Sequence, residues 1–131
     1  MRTENGLRQA LDAGETVFGA SAETFSPTVV ETLCAVGLDY VWLDFEHGGP
    51  SPYDSSALEE LTRAAEAGDI ELLVRLPKPE PALVRKVLDA GVRTILLPRI
   101  ETAEELRAGV RAAHFAYDGD VGDRGVGVGR A

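Results

Sequence analysis

The segment Asp44-Phe45-Glu46-His47-Gly48-Gly49 places a pair of carboxylates next to an imidazole. A carboxylate beside a histidine can orient the ring and raise its basicity, which suits a general base working near neutrality. The plainer alternative is that Asp44 and Glu46 cap the following turn and His47 is solvated. Their spacing alone is not a metal motif. A second candidate stands in Val74-Arg75-Leu76-Pro77. An arginine at the end of an interior strand needs an anion, and its fork suits a substrate carboxylate or an enolate oxygen. An ion pair between Arg75 and Asp44 or Glu46 is the equally open structural reading. Arg99 has the same kind of placement in TILLPRI and is the weaker candidate.

The elements that must position these residues follow a regular rhythm. Residues 5–13 predict a short amphipathic helix stopped by Gly14. Strands are expected at 17–22, 40–46, 71–76 and 94–100, from their β-branched and aromatic content. Helices are expected between and after them: from Ser26-Pro27 to Gly37, over 55–67 closed by Gly68, over 79–90 before Gly91, and over 102–113. Thr102 with Glu105 has capping-box spacing. Alternating β and α at this spacing implies parallel strands joined by right-handed crossovers. An open doubly wound sheet and part of a (β/α)8 barrel both fit. By period-two alternation Trp42, Asp44 and Glu46 share one strand face, and Glu71, Leu73 and Arg75 share another. Functional side chains in such folds cluster at the carboxyl ends of strands, where Asp44, Glu46, His47 and Arg75 fall. The stretch 117–131 is rich in Gly and Asp and reads as loop. Its Gly125, Gly127 and Gly129 follow a helix and lack a Lys-Ser/Thr, so they do not form a phosphate loop.

Other reactive residue types have plainer readings. Lys78, in Pro77-Lys78-Pro79-Glu80, sits in an exposed loop, whereas a Schiff-base lysine needs desolvation. His114 ends a helix, where the dipole favours it. Cys34 and Trp42 read as packing residues.

Composition narrows the partners. The chain has 131 residues, 22 acidic against 13 basic, for a net charge of −9. That argues against nucleic acid, which needs a basic face. There is no polybasic stretch for anionic lipid, no apolar run long enough to cross a bilayer, and no secretory signal. A single cysteine excludes an internal disulfide and a cysteine-based zinc site. A cytoplasmic protein is the default expectation. The excess of carboxylate, with Lys78 and Lys86 as the only lysines, resembles proteins of salt-loving organisms.

The order of elements and the strand-end residues resemble the N-terminal half of the HpcH/HpaI aldolase family, the metal-dependent class II pyruvate aldolases. They act on 2-keto-3-deoxy sugar acids and 4-hydroxy-2-oxo-heptanedioate. The stretches that carry the resemblance are NGLRQALDAGE, GLDYVWLDFEHGG, LLVRLP, VRKVLDAGVRTILLPRIETAEE and RGVG, which together span nearly the whole chain. The resemblance implies a (β/α)8 barrel, of which this chain covers an N-terminal helix and about four β-α units, 1–131 being a single partial domain. It implies that His47 matches the catalytic base, acting through a metal-bound water. Arg75 matches the group that binds pyruvate and stabilises its enolate, and Asp44 a carboxylate close to the histidine. Asp89 matches an aspartate that raises the basicity of the histidine. By its own sequence position Asp89 ends a helix, at the wrong end of its barrel. The resemblance brings it from a neighbouring subunit of a homo-oligomer, of hexamer type. The implied cofactor is a divalent ion, Mg2+, Mn2+ or Co2+. The implied reaction is retro-aldol cleavage of a 4-hydroxy-2-oxo acid to pyruvate and an aldehyde.

The family's metal-binding Glu and Asp belong to the second half of the barrel, and no residue of this chain matches either, so no metal ligand is assigned. The chain is expected to be inactive alone. A fragment of a longer product is the favoured explanation, against a truncated reading frame or a half that pairs with another chain. The competing classes are a non-catalytic half-barrel module and an acyl-CoA ester lyase of the same superfamily.

Overall fold

A computed structural model describes residues 4–116 and 122–127. Element α1 (Gly6–Asp12) is followed by β1 (Gly19–Ser21), α2 (Pro27–Ala35), β2 (Tyr40–Asp44) and α3 (Ser55–Gly68). Then come β3 (Glu71–Arg75), α4 (Pro81–Asp89), β4 (Thr94–Leu96) and α5 (Ala103–Ala113). The strands form one parallel sheet in the order β1-β2-β3-β4. A doubly wound sheet would reverse direction across a switch point. Sequential order with one-handed crossovers instead puts the helices on one face, as in a (β/α)8 barrel.

Alternation decides which side chains meet the helices. Val41 and Leu43 of β2, and Leu72 and Val74 of β3, are buried. They join one core cluster with Val30 of α2, Leu58 and Leu61 of α3, and Leu83, Val84 and Val87 of α4. The opposite face carries Trp42 and Asp44 on β2 and Leu73 and Arg75 on β3, all only partly buried. Asn5 caps α1 by accepting from the Arg8 N–H at 3.0 Å, while its Nδ2 donates to Thr94 Oγ1 at 2.8 Å. That bond ties α1 to the amino-terminal end of β4.

The strands are shorter than expected, and the early stops of β2 and β4 have local causes. β2 ends at Asp44 rather than Glu46 because the Asp44 side chain takes the next backbone N–H groups into a turn. β4 ends at Leu96 rather than Ile100, since Pro98 cannot donate to a ladder and Arg99 adopts φ 51°. α4 begins at Pro81, after Glu80 rather than at Pro79. α3 closes on Asp69 at φ 61°, not on Gly68. Gly68 serves packing instead: a Cβ there would lie 2.7 Å from Cys34 Sγ. The capping box of Thr102 and Glu105 is formed as its spacing predicts.

Of the expected loop at 117–131, residues 117–121 and 128–131 lie outside the described residues. Within the described part Arg124 pairs in parallel with Phe115, its N–H donating to the His114 carbonyl at 2.9 Å. This stretch is therefore paired to the end of α5.

Candidate active site

Strand register builds the site. Asp44 and Arg75 are direct partners across β2 and β3, so both side chains leave the same face at the same height. Arg75 Nη1 lies 3.1 Å from Asp44 Oδ2. The other oxygen, Asp44 Oδ1, accepts from the Glu46 N–H at 2.9 Å and the His47 N–H at 3.2 Å. One carboxylate thus turns the backbone out of the strand and fixes Arg75. Glu46, on that turn, pairs through Oε2 with Arg75 Nη2 and through Oε1 with Arg99 Nε at 3.2 Å. Its side chain is only 10% exposed. His47 Nε2 lies 3.7 Å from Glu46 Oε2, with the ring 69% exposed.

The turn that carries His47 is seated on aromatic packing. Phe25 meets Phe45 edge-to-face, with ring centroids 4.8 Å apart. Gly49 passes over the Phe25 ring at φ 79°, where a Cβ would come within 2.3 Å of Phe25 Cζ. Only glycine meets both demands.

Asp44, Glu46, His47, Arg75 and Arg99 therefore converge at the carboxyl edge of the sheet. Both geometries left open by the sequence, the turn cap and the ion pair, are present there. Asp89 is not part of this group. As the last residue of α4 it lies at the opposite end, where Oδ1 accepts from Arg124 Nη2 at 2.7 Å. The Arg124 side chain is 7% exposed and stacks over Phe115, 4.5 Å from the ring centroid. Nothing in the glycine-rich tail marked Arg124 as a buried residue. Lys78 pairs with Glu80 at 2.6 Å, and that bond holds its pKa above the ordinary lysine value, the opposite of what a Schiff base needs. His114 caps the end of α5, and Cys34 packs against the core.

Burial alone would raise the pKa of Asp44. The N–H groups of Glu46 and His47 and the Arg75 guanidinium outweigh it, so the carboxyl lies below its ordinary value. A carboxylate lowered on folding stabilises the protein above its unfolded pKa of about 3.9 and loses that contribution as pH falls through the folded value. Asp44→Asn is accordingly expected to lower stability against urea at pH 6. The gap from the parent should close as pH drops below about 4. A gap that persists unchanged to the acid limit would mean that the Asp44 charge contributes nothing.

Among the described residues, no group of three or more His, Cys, Asp or Glu side chains could hold a metal ion. Asp44 and Glu46 are both engaged by guanidinium groups. The donor set at this edge does not fit a divalent ion by itself.

Comparison with known proteins gives a consistent picture. Residues 18–124 match the model of the HpcH/HpaI aldolase/citrate lyase family. A hydroxypyruvate/pyruvate aldolase of Roseobacter denitrificans is 35% identical over 129 residues, covering 97% of this chain and 48% of the relative. A 5-keto-4-deoxy-D-glucarate aldolase of Salmonella paratyphi A is 32% identical over 95% of this chain and 46% of its own length. The crystal structure of an HpcH/HpaI aldolase/citrate lyase family protein from Burkholderia cenocepacia superposes with a TM-score of 0.82 at 36% identity, over 95% of this chain and 49% of that one. The chain spans about half the length of the curated relatives it matches. The match runs from just before β1 to the Arg124 bridge and includes every residue of the carboxyl-edge cluster. The chain therefore belongs to the HpcH/HpaI aldolase/citrate lyase family.

Proposed function

We propose that this chain supplies the oxo-acid side of a carbon–carbon lyase that cleaves a 4-hydroxy-2-oxo acid to pyruvate and an aldehyde. The observation that carries this reading is the pairing of Asp44 with Arg75 across β2 and β3, with His47 on the turn that follows. Arg75 offers its fork to the substrate carboxylate and to the oxygen that becomes negative in the enolate. Its Nε–H is buried and lacks a partner, as does the indole N–H of Trp42, on the same sheet face. Both are donors available to a bound oxygen atom. Asp44 and Glu46 hold the guanidinium in place before substrate arrives, so little reorganisation accompanies the reaction. His47, exposed at the edge, takes the proton of the C4 hydroxyl. The C3–C4 bond breaks, its electrons pass into the enolate, the aldehyde leaves, and protonation at C3 gives pyruvate.

The divalent ion, Mg2+, Mn2+ or Co2+, would take its ligands from residues outside this chain. Asp89 reaches a His47 only from another copy, in a homo-oligomer of hexamer type. Its position at the far end of its own sheet and its 42% exposure support that arrangement. The protein works in the cytoplasm on small molecules, with neither nucleic acid nor membrane as partner. No helix among the described residues is long and apolar enough to cross a membrane.

The test uses the 131-residue chain and a chimera joining it to the second half of the Roseobacter denitrificans relative. Each receives 4-hydroxy-2-oxo acids with Mn2+, and pyruvate is followed with lactate dehydrogenase. The chimera is expected to release pyruvate and the chain alone to release none. Release by the chain alone would contradict the placement of the metal ligands. A folded chimera that releases none would contradict the lyase reading.

A further inference from the structure

Arg99 is held in a backbone conformation that residues other than glycine seldom adopt. Among the described residues only Asp69 and Arg99 are non-glycine residues at positive φ, and Arg99 lies at 51°, three residues beyond the end of β4. Such strain at the edge of a site points to a role for the side chain it aims. The guanidinium is turned over the carboxyl edge, with Nη2 donating to the Pro77 carbonyl at 3.1 Å and Nε 3.2 Å from Glu46 Oε1. Glu46 has no need of this second cation, because Arg75 already pairs with its other oxygen.

The result is a pair of guanidinium groups separated by one carboxylate. Arg75 is the inner one at 23% exposed, and Arg99 the outer one at 68%. Glu46, paired with both guanidinium groups, is what separates a carboxylate bound at Arg75 from the more exposed Arg99. The chain as a whole carries a net charge of −9 and repels anions, so attraction for a second negative group has to be local.

We infer that Arg99 is a specificity-determining residue, which pairs with a second carboxylate on the aldehyde half of the substrate and makes the site select dicarboxylate oxo acids over monocarboxylate ones. This rests on the proposed binding of the oxo-acid carboxylate by Arg75. Replacing Arg99 removes a bidentate partner for that second carboxylate while Arg75 itself remains.

The experiment titrates the 15N-labelled chain with pyruvate, which has one negative charge, and with 2-oxoglutarate, which has two. The Nε–H signals of the arginines are followed. Pyruvate is expected to move the Arg75 signal alone. 2-Oxoglutarate is expected to move both Arg75 and Arg99 and to bind about tenfold more tightly, about 1.4 kcal/mol. Arg99→Gly keeps the positive φ without strain and is expected to abolish the tenfold preference, with 2-oxoglutarate then binding no more tightly than pyruvate binds the same variant. Arg107→Ala, which removes an exposed arginine paired with Glu104 on α5, should keep the preference, showing that net charge is not its source. Pyruvate binding at Arg75 with no preference for 2-oxoglutarate, or a preference that survives Arg99→Gly, would overturn the assignment of Arg99 alone. Failure of either acid to move the Arg75 signal would overturn both this inference and the proposed oxo-acid site.

Discussion

Arg75→Met is expected to abolish measurable pyruvate binding and to lower the lyase rate of the chimera by about 100- to 1,000-fold, the usual cost of losing one donor to a developing oxyanion. Methionine conserves much of the stem and its packing but removes the whole fork. Asp44 then keeps only the Glu46 and His47 N–H groups, and Glu46 keeps Arg99. Because these partners remain, the stability cost should be modest, about 1–3 kcal/mol for acceptors left short of donors. The two losses can be separated. Arg75→Lys restores a charge but not the planar fork, so it should recover stability more fully than rate. Urea unfolding and pyruvate titration on both variants check this. A fully active Arg75→Met variant would remove Arg75 from the site.

Arg93→Met is expected to be the most destabilising single change at a charged residue. Glu71 opens β3 with its residue only 3% exposed, and Arg93 grips it through Nη2 at 3.0 Å and Nε at 3.3 Å. Arg93 Nη1 also donates to the Glu4 carbonyl at 2.9 Å, so the same side chain holds the segment before α1. Removing one partner of a buried pair costs about 3–5 kcal/mol, against a total stability for domains of about 5–15 kcal/mol. In the variant the buried Glu71 carboxylate has lost the Arg93 guanidinium. Glu71→Gln added to Arg93→Met should recover a large part of the lost stability, because the amide carries no charge to bury. Chemical denaturation of the single and double variants reads both effects, and a deficit that Glu71→Gln leaves unchanged would contradict the buried-charge explanation.

The parts of this fold visible in the sequence are those written as local patterns. The alternation in YVWLDFE separates the helix-facing Val41 and Leu43 from Trp42 and Asp44, and the structure keeps that division. Thr102 and Glu105 announce the start of α5 through spacing alone. Register is different, because it depends on two strands at once. The sequence places Asp44 and Arg75 near strand ends. Only the ladder that pairs Tyr40 with Glu71 brings them directly opposite each other. Glu46 was legible as a carboxylate on the right face but not as the bridge between Arg75 and Arg99. That role needs the turn after β2 and the positive φ of Arg99, both set by tertiary context. Arg124 was hidden because the burial of an arginine in a glycine-rich stretch depends on a distant partner, Asp89, and on the Phe115 ring.

The most direct measurement is a crystal structure of the chain grown with oxalate, a planar mimic of the pyruvate enolate. It should show the oxalate oxygens within about 2.6–3.2 Å of the Arg75 guanidinium, on the sheet face shared with Trp42 and beside the His47 turn. Oxalate bound elsewhere, with Arg75 still fully engaged by Asp44 and Glu46 and His47 turned away, would contradict the assignment of this edge as the oxo-acid site.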